Sequence, residues 1–239
     1  MKIIPGGDGT LVVEFGDAIS EEINDRVHAL AAWLRAEKAE GITEVVPTFR
    51  SLMICYDVKK IRFARLKALI ERFNPDNAAL AQGGSRVWQI PCCYAEEYAP
   101  DLADMAALLG LSREEIIAIH SGTDYKIYML GFLPGFVYLG GMDERIAAPR
   151  LTSPRLSIPE GSVAIGGSQT GVYPIASPGG WRIIGSTPVK FYDPQREQPI
   201  LCTAGDYIRF VPVSKEQYDY LKSLTDYMPG FARRKGGAR

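Results

Sequence analysis

The run GSVAIGGSQTGVYP, residues 161–174, decides the fold class. Ser162 to Ile165 and Thr170 to Tyr173 are short β-forming runs, and the Gly-Gly-Ser-Gln between them is turn chemistry, so a hairpin is expected. The same pattern continues on both sides. Further β-like runs cover Asp124 to Met129, Arg182 to Ser186, Pro199 to Leu201 and Tyr207 to Val213, with Gly or Pro in every gap. No long helical period intervenes before Lys215 to Leu224. Many short strands with frequent turns predict a barrel or sandwich rather than a parallel sheet. Upstream of them, Ala103 to Leu109 predicts a short helix. Ser112 and Glu115 then have the spacing of a capping box, opening a second helix that runs to about His120, with Gly122 just past its end.

The N-terminal segment has a different rhythm. Leu11 to Phe15 reads as a strand, and Ser20 stands where an N-cap belongs. Ile23, Val27, Leu30, Ala31 and Leu34 follow at helical spacing, and Gly41 is placed to end that helix. Glu44 to Phe49 and Leu52 to Tyr56 read as two strands joined tightly at Arg50-Ser51. Leu66, Leu69, Ile70 and Phe73 mark a second helix, stopped by Asn74-Pro75. With a closing strand at Val87 to Ile90, the order is most of a split βαβ, ferredoxin-like unit. Asp76 to Ser85 is the linker candidate, which gives domains at 1–82 and 86–239. The fold class is therefore α+β.

Bulk properties narrow the function. The chain has 239 residues, 46% of them apolar, and a formal charge of −1, which favours neither nucleic acid nor an anionic membrane surface. The one basic run, Arg233-Arg234-Lys235, reads as a solvated tail. No segment reads as a signal peptide or as an apolar span, so a cytoplasmic protein is expected. Cys55, Cys92, Cys93 and Cys202 lack metal-ligand spacing and read as small buried hydrophobes; no metal is expected.

Four stretches could carry chemistry. Leu130 to Gly141 interrupts an apolar, aromatic run with four glycines and a proline, which suits either a close backbone approach to a ligand or a tightly turned corner. Pro149 to Pro159 sets Arg150 and Arg155 among three prolines, a rigid frame for presenting a guanidinium to a carboxylate or phosphate. Gly167, Ser168, Gln169 and Thr170, with Tyr173 beyond them, offer amides and side-chain donors to a small polar ligand. The lysine that a phosphate-binding loop requires is absent. Ala176 to Trp181 supplies a large aromatic to wall a pocket or to staple the core. His120, at a helix C-terminus that favours imidazolium, is the candidate for proton transfer, with helix capping as the plainer role.

The runs GFLPGFVYLGG (131–141), PRLSIPEGSVAIGGSQTGVYPIASPGGW (154–181) and GSTP (185–188) resemble the 5-oxoprolinase B subunit family, also called PxpB/KipI or allophanate hydrolase subunit 1. PTFRSLMICYD (47–57) and HSGTDYKIYMLGF (120–132) fit the same resemblance, which covers nearly the whole chain. It implies a small α/β domain followed by a cyclophilin-like β-barrel. It also implies action with the A and C subunits of the enzyme, the latter a related barrel protein, in an ATP-dependent complex that cleaves 5-oxo-L-proline to L-glutamate. ATP is used by the complex and not necessarily held by this chain, which is expected to be inactive alone. Arg150, Arg155 and the Gly166 to Gly171 loop are then where an anionic substrate would be met. Two other readings accompany the resemblance: a component of carboxyltransferase type acting on urea or a related amide, and a non-enzymatic inhibitor of a sensor histidine kinase.

Overall fold

Ser20 starts the first helix as its position requires: its hydroxyl oxygen accepts the Ile23 N–H at 3.2 Å. The computed structural model in which this is seen describes residues 1–74 and 86–234. The linker candidate and Lys235, the last residue of the basic run, lie outside the described residues. The chain divides into two compact units, Met1–Gly83 and Gly84–Arg239.

The first unit runs β1 (Lys2–Pro5), β2 (Thr10–Glu14), α1 (Glu21–Glu37), β3 (Ile42–Pro47), β4 (Ser51–Tyr56) and α2 (Phe63–Ile70). Its sheet has the order β1-β2-β4-β3 and is antiparallel throughout. Alternation along β4 buries Leu52, Ile54 and Tyr56 on one face, where they join Val27, Leu30 and Leu34 of α1 and Leu66 and Ile70 of α2 in a single core. Three expectations need correcting. The strand beside β2 is β1, whose two central isoleucines were too short a signal to read. Val87 to Ile90 is indeed a strand, but it pairs within the second unit. α1 ends at Lys38, which itself adopts the left-handed conformation (φ 47°), and Gly41 serves the following turn instead.

The second unit begins with β5 (Arg86–Cys92), α3 (Leu102–Leu109), α4 (Arg113–Ser121), β6 (Tyr125–Leu130) and β7 (Val137–Gly140). It continues with β8 (Arg155–Ile158), β9 (Ser162–Gly166), β10 (Gln169–Val172), β11 (Ser177–Gly179) and β12 (Arg182–Ser186). β13 (Tyr207–Pro212), α5 (Lys215–Ser223) and β14 (Phe231–Arg233) complete it. Eight of these strands form one sheet in the order β12-β9-β10-β7-β6-β13-β5-β14, in which β5 and β13 are parallel. The sheet curls far enough for its first and seventh strands to meet: just past β5, Cys93 N–H donates to Ser186 C=O at 2.8 Å, and Ser186 N–H returns the bond at 2.9 Å. Its inner face is a core that includes Tyr125, Ile127, Val163, Ile165, Val172 and Phe210. Helices α3 and α4 pack against β12 and β13. The predicted capping box is formed, with Glu115 N–H on Ser112 Oγ at 3.1 Å and Ser112 N–H on the Glu115 carboxylate at 2.7 Å.

Here too some expectations fail. Pro199 to Leu201 is not a strand; Ile200 makes a single bridge to Tyr192. The proline-framed loop contains β8 and the Pro-Gly-Gly turn contains β11, and these two pair as a small separate sheet. Proline is tolerated there because edge positions need no inward N–H.

Candidate functional site

Strand β10 connects an inner and an outer cluster, because its side chains alternate between the faces of the sheet. Thr170 and Val172 point inward; Gly171 and Tyr173, just past the strand, belong to the outer face. The inner cluster centres on His120, which is fully buried. The Thr170 hydroxyl donates its one proton to the Ala164 carbonyl at 3.1 Å, so it accepts from His120 Nε2–H at 2.9 Å. His120 Nδ1 is then the acceptor for the Tyr94 hydroxyl at 2.8 Å. The ring stacks on Phe210, centroids 4.5 Å apart. Burial holds its pKa down at about 3. The imidazolium expected from the helix terminus is therefore corrected: desolvation outweighs the partial charge of the helix end. His120 is a neutral ring with both nitrogens satisfied, joining α4 to the segment after β5 and to β10.

The outer cluster is aromatic. Phe136, Tyr173, Trp181 and Tyr138 gather with Ile158 and Ile183. Phe136 makes edge contacts with Tyr173 (5.3 Å) and Trp181 (5.7 Å). Glycines make this possible. A Cβ on Gly166 would stand 2.5 Å from the Trp181 ring, and one on Gly179 would strike the Tyr173 hydroxyl. Arg150 is exposed and lies over Trp181, its guanidinium carbon 5.8 Å from the ring centroid. Its charge opposes the rise in pKa that burial gives the Tyr138 and Tyr173 hydroxyls. Arg150 has no carboxylate partner among the described residues. Together these groups form a buried aromatic cluster, in which Phe136, Tyr173 and Trp181 are each at most 5% exposed, with half-buried Tyr138 and exposed Arg150 at its rim.

The remaining candidates are placed differently. Arg155 directs its fork to Asp101, with bonds of 2.8 and 2.7 Å, and buried Asp101 also accepts the Ile183 N–H at 2.6 Å. That fork ties β8 to the start of α3 and is not open to a ligand in this conformation. Gly167 and Ser168 form the tip of the β9–β10 hairpin, with Gly167 at φ 66° and Gln169 paired to Gly166. The tip is tethered, because Gly167 N–H donates to Ala148 C=O at 2.8 Å and Ala148 N–H returns the bond at 3.1 Å. The hairpin thus lacks the free converging amides that a nucleotide phosphate requires, and ATP does not fit it. The structure joins His120 to Thr170, and Tyr173 to Arg150 through the aromatic cluster; Arg155 is committed to Asp101, and His120 lies on the inner face of the sheet.

Tyr94, Asp101 and Tyr138 are the participants that the sequence did not single out. Asp101 and Arg155 are 54 positions apart, and no local pattern links them. Among the described residues no three His, Cys, Asp or Glu side chains converge as metal ligands. Cys92, Cys93 and Cys202 are buried, and burial raises each thiol pKa; Cys55 is half-buried. No described helix is long and apolar enough to cross a membrane.

Comparison with known proteins agrees with this architecture. The family model of the carboxyltransferase domain, subdomains C and D, matches residues 1–202. The 5-oxoprolinase B subunit of Bacillus subtilis (strain 168) is 43% identical over 226 residues, covering 90% of this chain and 94% of that protein. The crystal structure of TTHA0988 superposes with a TM-score of 0.77 at 36% identity, over 86% of this chain and 40% of that one, so the chain spans less than half of that protein's length. Urea carboxylase of Kluyveromyces lactis shares the fold, with a TM-score of 0.73 at 20% identity over 97% of this chain and 24% of the enzyme. The chain belongs to the carboxyltransferase-domain family of subdomains C and D and, within it, to the 5-oxoprolinase B subunit family.

Proposed function

We propose that this chain is the B subunit of an ATP-dependent 5-oxoprolinase, cleaving 5-oxo-L-proline to L-glutamate together with the A and C subunits in the cytoplasm. The observation that carries the reading is the 43% identity to a 5-oxoprolinase B subunit over 90% of the chain. The architecture we assign is a ferredoxin-like unit, with β1 in the place of the closing strand, followed by a cyclophilin-like barrel made by the curled sheet.

The chemistry divides between the subunits. A lactam carbonyl is a poor electrophile, and phosphorylation of its oxygen would create a leaving group. This chain's hairpin does not fit ATP, so nucleotide binding is assigned to the partners. The part left to this chain is positioning. The carboxylate of the substrate would be met by exposed Arg150 at the rim of the buried aromatic cluster, with half-buried Tyr138 as a further donor. His120 would act through Thr170 by fixing β10, which makes it a positioning residue. With nucleotide binding left to the partners, the chain would be inactive alone.

The test is reconstitution with the A and C subunits and an assay of ATP-dependent glutamate release. Arg150→Gln is expected to raise KM for 5-oxoproline about tenfold, the loss of one charge-assisted hydrogen bond, with an unchanged melting temperature. Unaltered kinetics in that variant would remove Arg150 from the site, and no turnover by the complete complex would remove the function.

A further inference from the structure

Arg150 stands on a stretch without regular structure ahead of β8, so individual bonds set its position. Among the described residues, four hold the chain around it. Before it, Ala148 N–H donates to Gly167 C=O at 3.1 Å, and Gly167 N–H returns the bond at 2.8 Å. After it, Leu151 N–H donates to Gly180 C=O at 2.7 Å. The fourth bond falls on its immediate neighbour: Arg182 Nε donates to the Pro149 carbonyl at 3.0 Å. Three of these bonds join main chain to main chain, and only the fourth comes from a side chain.

The bonds on Pro149 and Leu151 lead to one short piece of chain. Gly180 and Arg182 flank Trp181, and the Trp181 ring is the one beneath the Arg150 guanidinium, 5.8 Å from its central carbon. The donor has a rigid support. Arg182 opens β12 and pairs with Ile165 of β9, and the next amide, Ile183 N–H, is held by buried Asp101 at 2.6 Å. Arg182 has no salt bridge among the described residues, so its bond to Pro149 is what orients its guanidinium. A cationic N–H on a carbonyl is also a stronger bond than a neutral one.

We propose that Arg182 is a positioning residue for Arg150: its bond to Pro149 fixes the backbone on which Arg150 stands, so that the Arg150 guanidinium is held over Trp181 before the substrate arrives. This role rests on the reading of Arg150 as the group that meets the substrate carboxylate. Ordering a binding group in advance lowers the entropy cost of binding. It does not touch the reacting amide, so it acts on KM and leaves kcat alone.

The test is steady-state kinetics of the complex reconstituted with the A and C subunits. Arg182→Met keeps the length of the side-chain stem and removes the donor. It is expected to raise KM for 5-oxoproline about threefold with kcat unchanged, the weight of one partly exposed hydrogen bond. Arg182→Gln removes the charge but places an amide N–H where Nε stood, and should recover most of that loss. Because Arg182 acts through Arg150, adding Arg182→Met to Arg150→Gln should raise KM no further. The role is overturned if Arg150→Gln raises KM while Arg182→Met does not. It is overturned equally if the glutamine variant is as impaired as the methionine one, or if the two effects multiply in the double variant, since Arg182 would then be an independent, charge-dependent contact. Unaltered KM in Arg150→Gln is a separate failure, which removes the ligand role of Arg150 and the positioning role with it.

Discussion

His120 stands at the last turn of α4, yet its surroundings are chosen for a neutral ring: Phe210 on one face, a phenol on Nδ1 and a threonine hydroxyl on Nε2. Below its ordinary 6.5 an unfolded histidine takes up a proton that this buried ring accepts only near 3. The unfolded state then binds more protons, so stability falls as pH falls between those two values, by roughly 4–5 kcal/mol in total for this one group. Urea denaturation from pH 7 down to 4 should show that slope, and His120→Gln, though less stable at pH 7, should lose about one proton of pH dependence. Equal slopes in the two proteins would mean that the ring titrates normally. Arg155 raises a different question, since its fork is occupied by a carboxylate that is itself 4% exposed. Arg155→Ala leaves buried Asp101 with only the Ile183 N–H and should cost about 3 kcal/mol, the lower end for a broken buried pair because Arg155 remains one-third exposed (32%). A melting temperature that stays put while substrate KM rises would instead make Arg155 a ligand group.

The β9–β10 hairpin shows two adjacent glycines required for different reasons. Gly166 leaves room for the Trp181 ring, whereas Gly167 has open space around it but a φ of 66°. Gly166→Ala should displace the indole, costing about 1–3 kcal/mol by overpacking and shifting the tryptophan fluorescence. Gly167→Ala should cost about 1 kcal/mol of backbone strain and leave the fluorescence as it was. Similar emission changes in both would refute the division. The contrast also indicates which features a sequence makes readable. The Ser20 and Ser112 caps were legible because each bonds an amide three positions away, and the β9–β10 hairpin because its turn residues lie between its strands. Strand β8 was hidden because its partner β11 lies beyond two intervening strands, Pro154 and Pro159 flank β8, and β11 itself contains Pro178 and Gly179. β14 is three exposed residues, the last of which, Arg233, opens the basic run read as a solvated tail but pairs with Arg86, and no pattern revealed it. At the candidate site, Tyr173 and Arg150 were legible as residue types in unusual company. That Arg150 is available and Arg155 is paired depends on Asp101, which only the folded chain brings near.

At the scale of the molecule, the aromatic cluster is closed in its interior and meets solvent only at its rim. The rim presents Arg150 and Phe132 to solvent, the latter 65% exposed at a φ of 67° that a phenylalanine rarely adopts. An exposed aromatic held in a costly conformation is what an interface residue looks like before its partner arrives. The isolated chain should therefore show no glutamate release from 5-oxoproline and ATP, and activity should appear on adding the A and C subunits. Phe132→Gly relieves the backbone strain and removes the ring, so the isolated chain should become more stable by about 0.5–1 kcal/mol while association with the partners weakens at least tenfold. Differential scanning calorimetry of the variant and its co-elution with the partner proteins measure the two effects separately. A variant that is stabilised yet assembles and turns over normally would place Phe132 outside the interface. Turnover by the isolated wild-type chain would show that the chain already carries a complete site.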